Sequence, residues 1–229
     1  MKRILREYGL PAALLLGGAL PLGFLVAFAI SAALPMHRLA NAAQAVAGFA
    51  VMAVCGGLWG QSVARAAGSR ATTRLFWGAV AGFIVGALGA VLGLGVLEQI
   101  FVERRALGPV PIHVIFAVIF PPAMGLVSAL MAFVAGGLLR GLRFGGRVAW
   151  QAGLAAAVAF LAATVIQDLL GRRVGGPNAA ATFTMVSVTM IGNFVAALAA
   201  GTVLGRALAA VPGPVETAPA SPLDTSASG

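Results

Sequence analysis

This chain has few charged residues. Of its 229 residues, 9% are charged and 60% are hydrophobic, and the mean hydropathy is +1.00. A soluble domain carries about 25% charged residues, because it must cover its surface with groups that water can solvate. The composition therefore excludes an ordinary soluble protein and favours a single membrane domain.

Cysteine, histidine and catalytic motifs are also scarce. Cys55 is the only cysteine, so no disulfide or cysteine-based metal site can form within one chain. Neither an HExxH nor a Gly-x-Ser-x-Gly motif occurs, and the glycines follow neither a Walker nor a dinucleotide-binding pattern. His37 and His113 are too few and too separated to indicate a haem or a metal site. We therefore expect no cofactor and no metal.

Acidic residues are outnumbered. Six acids face 15 basic residues, for a net charge of +9. In a soluble protein this excess would suggest nucleic acid. Here the basic residues lie in short segments between apolar runs, where membrane orientation and anionic lipid headgroups explain them better. We expect a lipid bilayer as the partner, with other membrane subunits possible and nucleic acid excluded.

Six apolar runs reach the length of about 18 residues or more that marks a membrane-spanning helix. They cover 10–34, 41–59, 75–97, 111–139, 148–170 and 179–208. The first run exceeds the core of a signal peptide, which is about 7–15 residues long, so a retained helix is favoured over a cleaved one. The predicted organisation is a basic lead (1–9), an all-α bundle of six transmembrane helices (10–209) and a disordered tail (210–229) rich in Pro, Ser, Ala and Thr.

The basic residues favour one side of this bundle. Ten fall on the N-terminal side: Lys2, Arg3, Arg6, Arg65, Arg70, Arg74, Arg140, Arg143, Arg147 and Arg206. Five fall on the other: Arg38, Arg104, Arg105, Arg172 and Arg173. The positive-inside rule predicts that both termini are cytoplasmic and that the protein lies in the cytoplasmic membrane.

Two pairs of similar segments suggest an internal repeat. Arg104–Pro109 and Arg172–Pro177 both read Arg-Arg-x-x-Gly-Pro, and each follows an apolar run. Two further segments share the pattern Arg-x-x-x-Arg-x-x-Trp, ending at Trp77 and at Trp150. Tandem two-helix hairpins would explain both pairs, but Ala/Gly/Val-rich sequence aligns easily with itself, and both interpretations stay open.

Small residues recur every fourth position on two predicted helices. The third helix carries Gly78, Gly82 and Gly86, and the first carries Ala19, Gly23 and Ala27. Such stripes let membrane helices approach closely. Pro121-Pro122 lies near the middle of the fourth helix, where two missing donors predict a kink or a break.

Polar residues within or beside the spans are the candidate substrate-binding residues. Asn193 and Thr189 on the sixth helix, with Ser128 on the fourth, predict a midplane site; ordinary interhelical hydrogen bonds are the alternative. Glu98, His113 and Asp168 predict a polar mouth on the outer side, together with His37, Gln44, Gln99, Glu103 and Gln167. The alternative is that the acids pair with nearby arginines and anchor the turns.

Three functions compete on this basis. The leading hypothesis is a non-enzymatic membrane component that binds or transports a small solute. The second is a structural or assembly subunit of a larger membrane complex. The third is a membrane-embedded enzyme that uses His113 with Glu98 or Asp168 as acid–base partners.

Overall fold

In a computed structural model of the chain, helices account for nearly all of the residues described, and no strand occurs among them. The backbone is described for 1–33, 37–103 and 112–211. Within these ranges, the following side chains lie outside the description: 20, 24, 31–33, 37–42, 44, 94–103, 112–119, 168 and 171–189. The predicted all-α class is confirmed.

The fold contains six main helices. The first, α1, covers 2–33 and includes two π-helical stretches, Leu5–Gly9 and Ala13–Gly17. The others are α2 His37–Ala66, α3 Thr72–Glu103, α4 Ile112–Arg140, α5 Leu142–Ser187 and α6 Asn193–Ala210, with the π-helical segment Val188–Gly192 before α6. Six stretches, one along each helix, are long and apolar enough to cross a membrane. The protein is a multi-pass membrane helical bundle.

The six helices close into a ring. Each packs against the next in sequence, and α6 packs against α1. Neighbouring helices are antiparallel. In the pair α1 and α6, for example, Tyr8 near the start of α1 contacts Gly201 near the end of α6. Gly17, which is farther along α1, contacts Phe194 at the start of α6. Across the ring α4 also reaches α2 and α6. The Arg140 guanidinium donates a 3.3 Å hydrogen bond to the Val211 carbonyl, so α4 and α6 end on the same side.

Side-chain size separates the inner face of these helices from the outer face. On α5 the buried face is mostly small, with Ala152 and Ala156 fully buried. Its outer face carries the larger Leu154, Val158 and Leu161, all exposed. In lipid, apolar side chains gain little by moving inward, so close backbone approach between small residues decides which face packs.

Two predicted basic loops are shorter than expected. Of the basic loop predicted between the second and third spans, 61–74, only 67–71 lies outside a helix, because α2 continues to Ala66 and α3 begins at Thr72. Only Gly141 lies between the end of α4 at Arg140 and the start of α5 at Leu142, so Arg143 and Arg147 are helical. Arginine is a good helix former whose long side chain reaches water from a helix end, so it does not mark a loop. Gly141 completes the reversal alone with φ of +95°, a conformation that favours glycine.

Of the kink or break predicted in the fourth helix, the break is wrong. The helical backbone of α4 runs from Ile112 to Arg140 through both prolines, with Pro121 buried and Pro122 exposed. Membrane helices tolerate proline because neighbouring groups and small local adjustments satisfy the freed carbonyls.

The chain folds back between α5 and α6. Helical backbone is assigned from Leu142 to Ser187, which includes Arg172–Pro177, where the predicted fifth and sixth spans are joined by a turn. Phe160 nevertheless packs against Gly192. A straight helix from Phe160 to Ser187 would carry the chain about 40 Å away. The direction must therefore reverse between Phe160 and Gly192, in an interval whose side chains lie mostly outside the description.

Candidate functional site

The buried interior is almost entirely apolar. Among the residues described, the buried polar side chains are Thr164, Gln167 and Asn193, with 3%, 5% and 7% of their surface exposed. All three belong to α5 or to the start of α6. Because polar groups within a membrane bundle are costly and tend to be functional, this polar cluster is the candidate site.

The periodicity of the α-helix places Thr164 and Gln167 on one face of α5. Phe160, Thr164 and Gln167 are spaced i, i+4 and i+7, so they line up on the side of α5 that faces the bundle. All three are buried, whereas Leu161 and Val165, between them in sequence, are exposed. The neighbouring Ala163 is also buried. A small residue there lets a neighbouring helix approach, which shields Gln167 from lipid.

Phe160 lies at the midplane end of the polar cluster. Its ring stacks on Phe120 of α4, with centroids 6.3 Å apart and planes at 12°. On the α6 side, a Cβ added to Gly192 would lie 2.9 Å from the Phe160 ring. Asn193 follows Gly192 directly, so its buried side chain begins at the level of this ring. The stacked pair therefore joins α4 to α5 at the level where α6 begins.

The hydrogen-bonding capacity of the cluster is only partly used. The Thr164 hydroxyl donates a 2.9 Å bond to the Phe160 carbonyl, and Asn193 has an interaction within the chain. Neither the Oε1 nor the Nε2 atom of Gln167 has a hydrogen-bond partner in the described structure. A buried polar group left in this state costs about 1–3 kcal/mol. Gln167 therefore offers one donor group and one acceptor at a cost in stability.

The cluster extends along the membrane normal. Trp150 is exposed near the start of α5, where an interfacial tryptophan is expected. At 1.5 Å per residue, Phe160 lies about 15 Å deeper than Trp150, Thr164 about 21 Å and Gln167 about 26 Å. For a hydrocarbon layer of about 30 Å, Phe160 lies at the midplane and Gln167 near the far interface. The polar cluster thus extends from that interface to the middle of the membrane.

The predicted midplane residues are not all at one depth. Asn193 is buried at the level of Phe160, and Ser128 on α4 is half-buried. Gly125 packs against Gly153, which fixes the register of α4 and α5. By that register Ser128 lies about 15 Å from the level of Asn193, toward the N-terminal end of the bundle. The structure does not bring these two residues together, and the side chain of Thr189 lies outside the description.

The predicted outer mouth falls mostly outside the described side chains. This applies to Glu98, His113 and Asp168, and to His37, Gln44, Gln99 and Glu103. Gln167 is the described member, and it is buried within the bundle. Thr164 was not among the predicted site residues, although its i+4 spacing from Phe160 and its place one turn before Gln167 could have identified it.

The small-residue stripes lie at helix contacts inside the bundle. A Cβ added to Gly86 would lie 3.0 Å from the Val127 Cα of α4, and one added to Gly78 would lie 2.8 Å from side-chain atoms of Val134 and Leu138. Gly82 faces the same helix. On α1, Gly23 approaches the Gly48 backbone of α2, Ala19 is buried and Ala27 is half-buried.

Among the described residues, no group of His, Cys, Asp and Glu side chains could hold a metal ion. No family model, curated protein or solved structure matches this chain. Its function is therefore inferred from its own side chains and their positions.

Proposed function

We propose that this multi-pass membrane protein binds a small, uncharged polar solute at the polar cluster formed by Gln167, Thr164 and Asn193. The observation that carries the proposal is the buried Gln167 amide with no protein partner for either polar atom in the described structure. A primary amide both donates and accepts hydrogen bonds. A solute with an adjacent donor and acceptor would satisfy both atoms.

The chemistry of the buried polar groups favours an uncharged solute. The polar side chains described inside the bundle are the hydroxyl of Thr164 and the amides of Gln167 and Asn193. An ion taken into the apolar interior without a counter-charge carries a large desolvation cost. Amide and hydroxyl groups suit a neutral molecule better.

The polar cluster extends from the level of the Phe120–Phe160 stack toward the far interface. This position favours binding of the solute from that side. We infer a binding or transport component that works without catalysis. By the positive-inside rule, the basic end is cytoplasmic and the solute approaches from outside.

The alternative of a structural or assembly subunit has less support. The feature that favoured this alternative is the glycine stripe on α3, because such a stripe can pack against a helix of a partner protein. Gly78 and Gly86 instead pack against α4 of the same chain. The described outer surface is built largely from Leu, Val and Ile side chains, which suit lipid.

The test is solute retention by matched glutamine variants. The protein is purified in mild detergent, and co-purifying small molecules are identified by mass spectrometry. Gln167→Leu is expected to lose the retained solute. Gln151→Leu makes the same change on the same helix, 16 residues away near the basic end, and is expected to keep it. Equal retention by both variants would rule out this site.

Orientation needs a separate test. In a Cys55→Ala background, Ser69→Cys places a single thiol in the short connection after α2. A membrane-impermeant maleimide should label it in inverted vesicles and not in intact cells. Labelling in intact cells alone would reverse the proposed orientation.

A further inference from the structure

The N-terminal end of the bundle is strongly cationic. Ten described basic residues belong to it: Lys2, Arg3, Arg6, Arg65, Arg70, Arg74, Arg140, Arg143, Arg147 and Arg206. Glu7 is the one acid among the described side chains, and it pairs with Arg3 at 2.9 Å. The Arg140 guanidinium donates a hydrogen bond to the Val211 carbonyl. The remaining basic side chains have no hydrogen-bond or ion-pair partner within the described part of the chain.

Two of these arginines begin a continuous outer stripe on α5. Arg143 and Arg147 are exposed and lie one turn apart, and Trp150 follows on the same face with 61% of its surface exposed. The stripe then continues with exposed aliphatic residues at helical spacing: Leu154, Val158, Leu161, Val165 and Leu169. Charge, aromatic ring and hydrocarbon thus follow one another along one face.

The same order occurs on α3. Arg70 lies two residues before the helix, and Arg74 and Trp77 follow at i+4 and i+7, with Trp77 64% exposed. Below Trp77 the outer face again carries large aliphatic residues: Ile84, Val85, Leu88, Val91 and Leu92. Because α3 and α5 lie on either side of α4 in the ring, the two surfaces are separate.

These stripes match the layers of a bilayer. From Trp150 to Leu169 the helix rises about 28 Å, close to the hydrocarbon thickness of about 30 Å. Tryptophan favours the boundary between the acyl chains and the headgroups. Arg147 and Arg143 then lie about 5 Å and about 10 Å above that boundary, at the level of the lipid phosphates.

We propose that Arg143, Arg147 and Trp150 form a binding site for one anionic phospholipid, and that Arg70, Arg74 and Trp77 form a second. Two arginines one turn apart repel each other unless an anion lies between them, and no acid among the described side chains does so. A guanidinium pairs well with phosphate oxygens through paired N–H donors. The apolar stripe below each pair provides the surface for the acyl chains of the same molecule.

Lipid fits this surface better than free phosphate. A free anion would use only the two arginines and leave the tryptophan and the aliphatic stripe without a role. A phospholipid contacts all three layers at once. A zwitterionic headgroup brings its own cation close to the arginines, so an anionic headgroup should be preferred.

The test measures which lipid lies beside Trp150. Trp77→Phe leaves Trp150 as the exposed reporter, because Trp59 is buried at 2% exposure. The protein is reconstituted in mixed phosphatidylglycerol and phosphatidylcholine vesicles, with bromine on the acyl chains of one lipid at a time. Brominated phosphatidylglycerol should quench the fluorescence more strongly than brominated phosphatidylcholine. The converse variant, Trp150→Phe with Trp77 retained, tests the α3 site in the same way.

Paired charge removals localise the preference. Each arginine near an anionic surface contributes roughly a fivefold preference, so R143Q/R147Q should reduce the lipid preference at Trp150 by roughly ten- to thirtyfold. R65Q/R206Q removes the same charge from the same end, on α2 and α6, and should leave it largely intact.

Three results would overturn the proposal. One is the absence of any preference in the parent protein. Another is an equal loss in both double variants, which would indicate general surface charge. The third is loss of the preference when inorganic phosphate is added in large excess at constant ionic strength, which would indicate a free-phosphate site.

Discussion

Adding one methyl group at Gly153 should separate α4 from α5. In Gly153→Ala, the new Cβ would lie 2.8 Å from the Gly125 carbonyl oxygen and 2.9 Å from the Ala129 Cβ. Ordinary contacts between such atoms are about 3.5–4.0 Å. Since one of the two obstacles is backbone, the helices must move apart by several tenths of an ångström or more.

The expected cost can be separated from helix propensity. Overfilling a packed contact costs about 1–3 kcal/mol, whereas alanine gains up to about 1 kcal/mol over glycine within a helix. Gly146→Ala adds the same methyl group on the same helix, at a position where the new Cβ would face open space. Because the propensity gain is common to both variants, their difference in unfolding free energy should be about 1–3 kcal/mol.

The measurement is reversible unfolding in mixed micelles of a mild detergent and increasing dodecyl sulfate, followed by circular dichroism. The predicted difference corresponds to a change of roughly 5- to 150-fold in the unfolding equilibrium constant. Gly153→Leu should extend the trend, since it adds more volume at the same point. If Gly153→Ala proves as stable as Gly146→Ala, the close packing of Gly125 on Gly153 is refuted.

Three further predictions use the same unfolding assay. Gly141→Ala should destabilise the protein by about 1–2 kcal/mol, because φ of +95° disfavours a side chain; an unchanged midpoint would contradict that turn. Phe160→Ala should cost about 3–5 kcal/mol, because its fully buried ring fills the junction of α4, α5 and α6, whereas the exposed Phe28→Ala should change little. Gln167→Leu should stabilise the protein by about 1–3 kcal/mol while it abolishes solute retention, because it removes two unsatisfied buried atoms. Loss of both stability and retention would show that Gln167 serves packing alone.

The six spans could be predicted from the sequence because they depend on run length. A stretch of about 20 apolar residues has few stable options other than a membrane-spanning helix. The helix ends were less predictable, since arginines such as Arg143 and Arg147 fit a helix end as well as a loop. The rule that proline interrupts a helix failed at Pro121 for a related reason, because the membrane environment tolerates it.

The buried polar cluster could not be located from the sequence because the rotation of α5 is not encoded in its polarity. Both faces of this helix are apolar, so hydrophobic periodicity does not distinguish them. The deciding feature is size, with Ala152 and Ala156 inside and Leu154 and Val158 outside. Once that rotation is known, the spacing from Phe160 turns Gln167 inward. An interpretation based on depth alone placed the same residue at the outer mouth.

The packing register connects the second Arg-Arg-x-x-Gly-Pro segment to the fold. For antiparallel neighbours, the chain should reverse about halfway between two residues in contact. Gly60 contacts Leu75, and the halfway point falls between residue 67 and Gly68, which has φ of +67°.

The same reasoning applies to the second segment that carries the shared motif; the first, Arg104–Pro109, lies outside the described residues. Phe160 contacts Gly192, and the halfway point is residue 176, inside Arg172–Pro177. On this reasoning the reversal belongs to the end of the bundle opposite the ten basic residues. If the buried amide of Gln167 binds a solute, this segment begins five residues after it, at the end of the bundle from which the solute would enter.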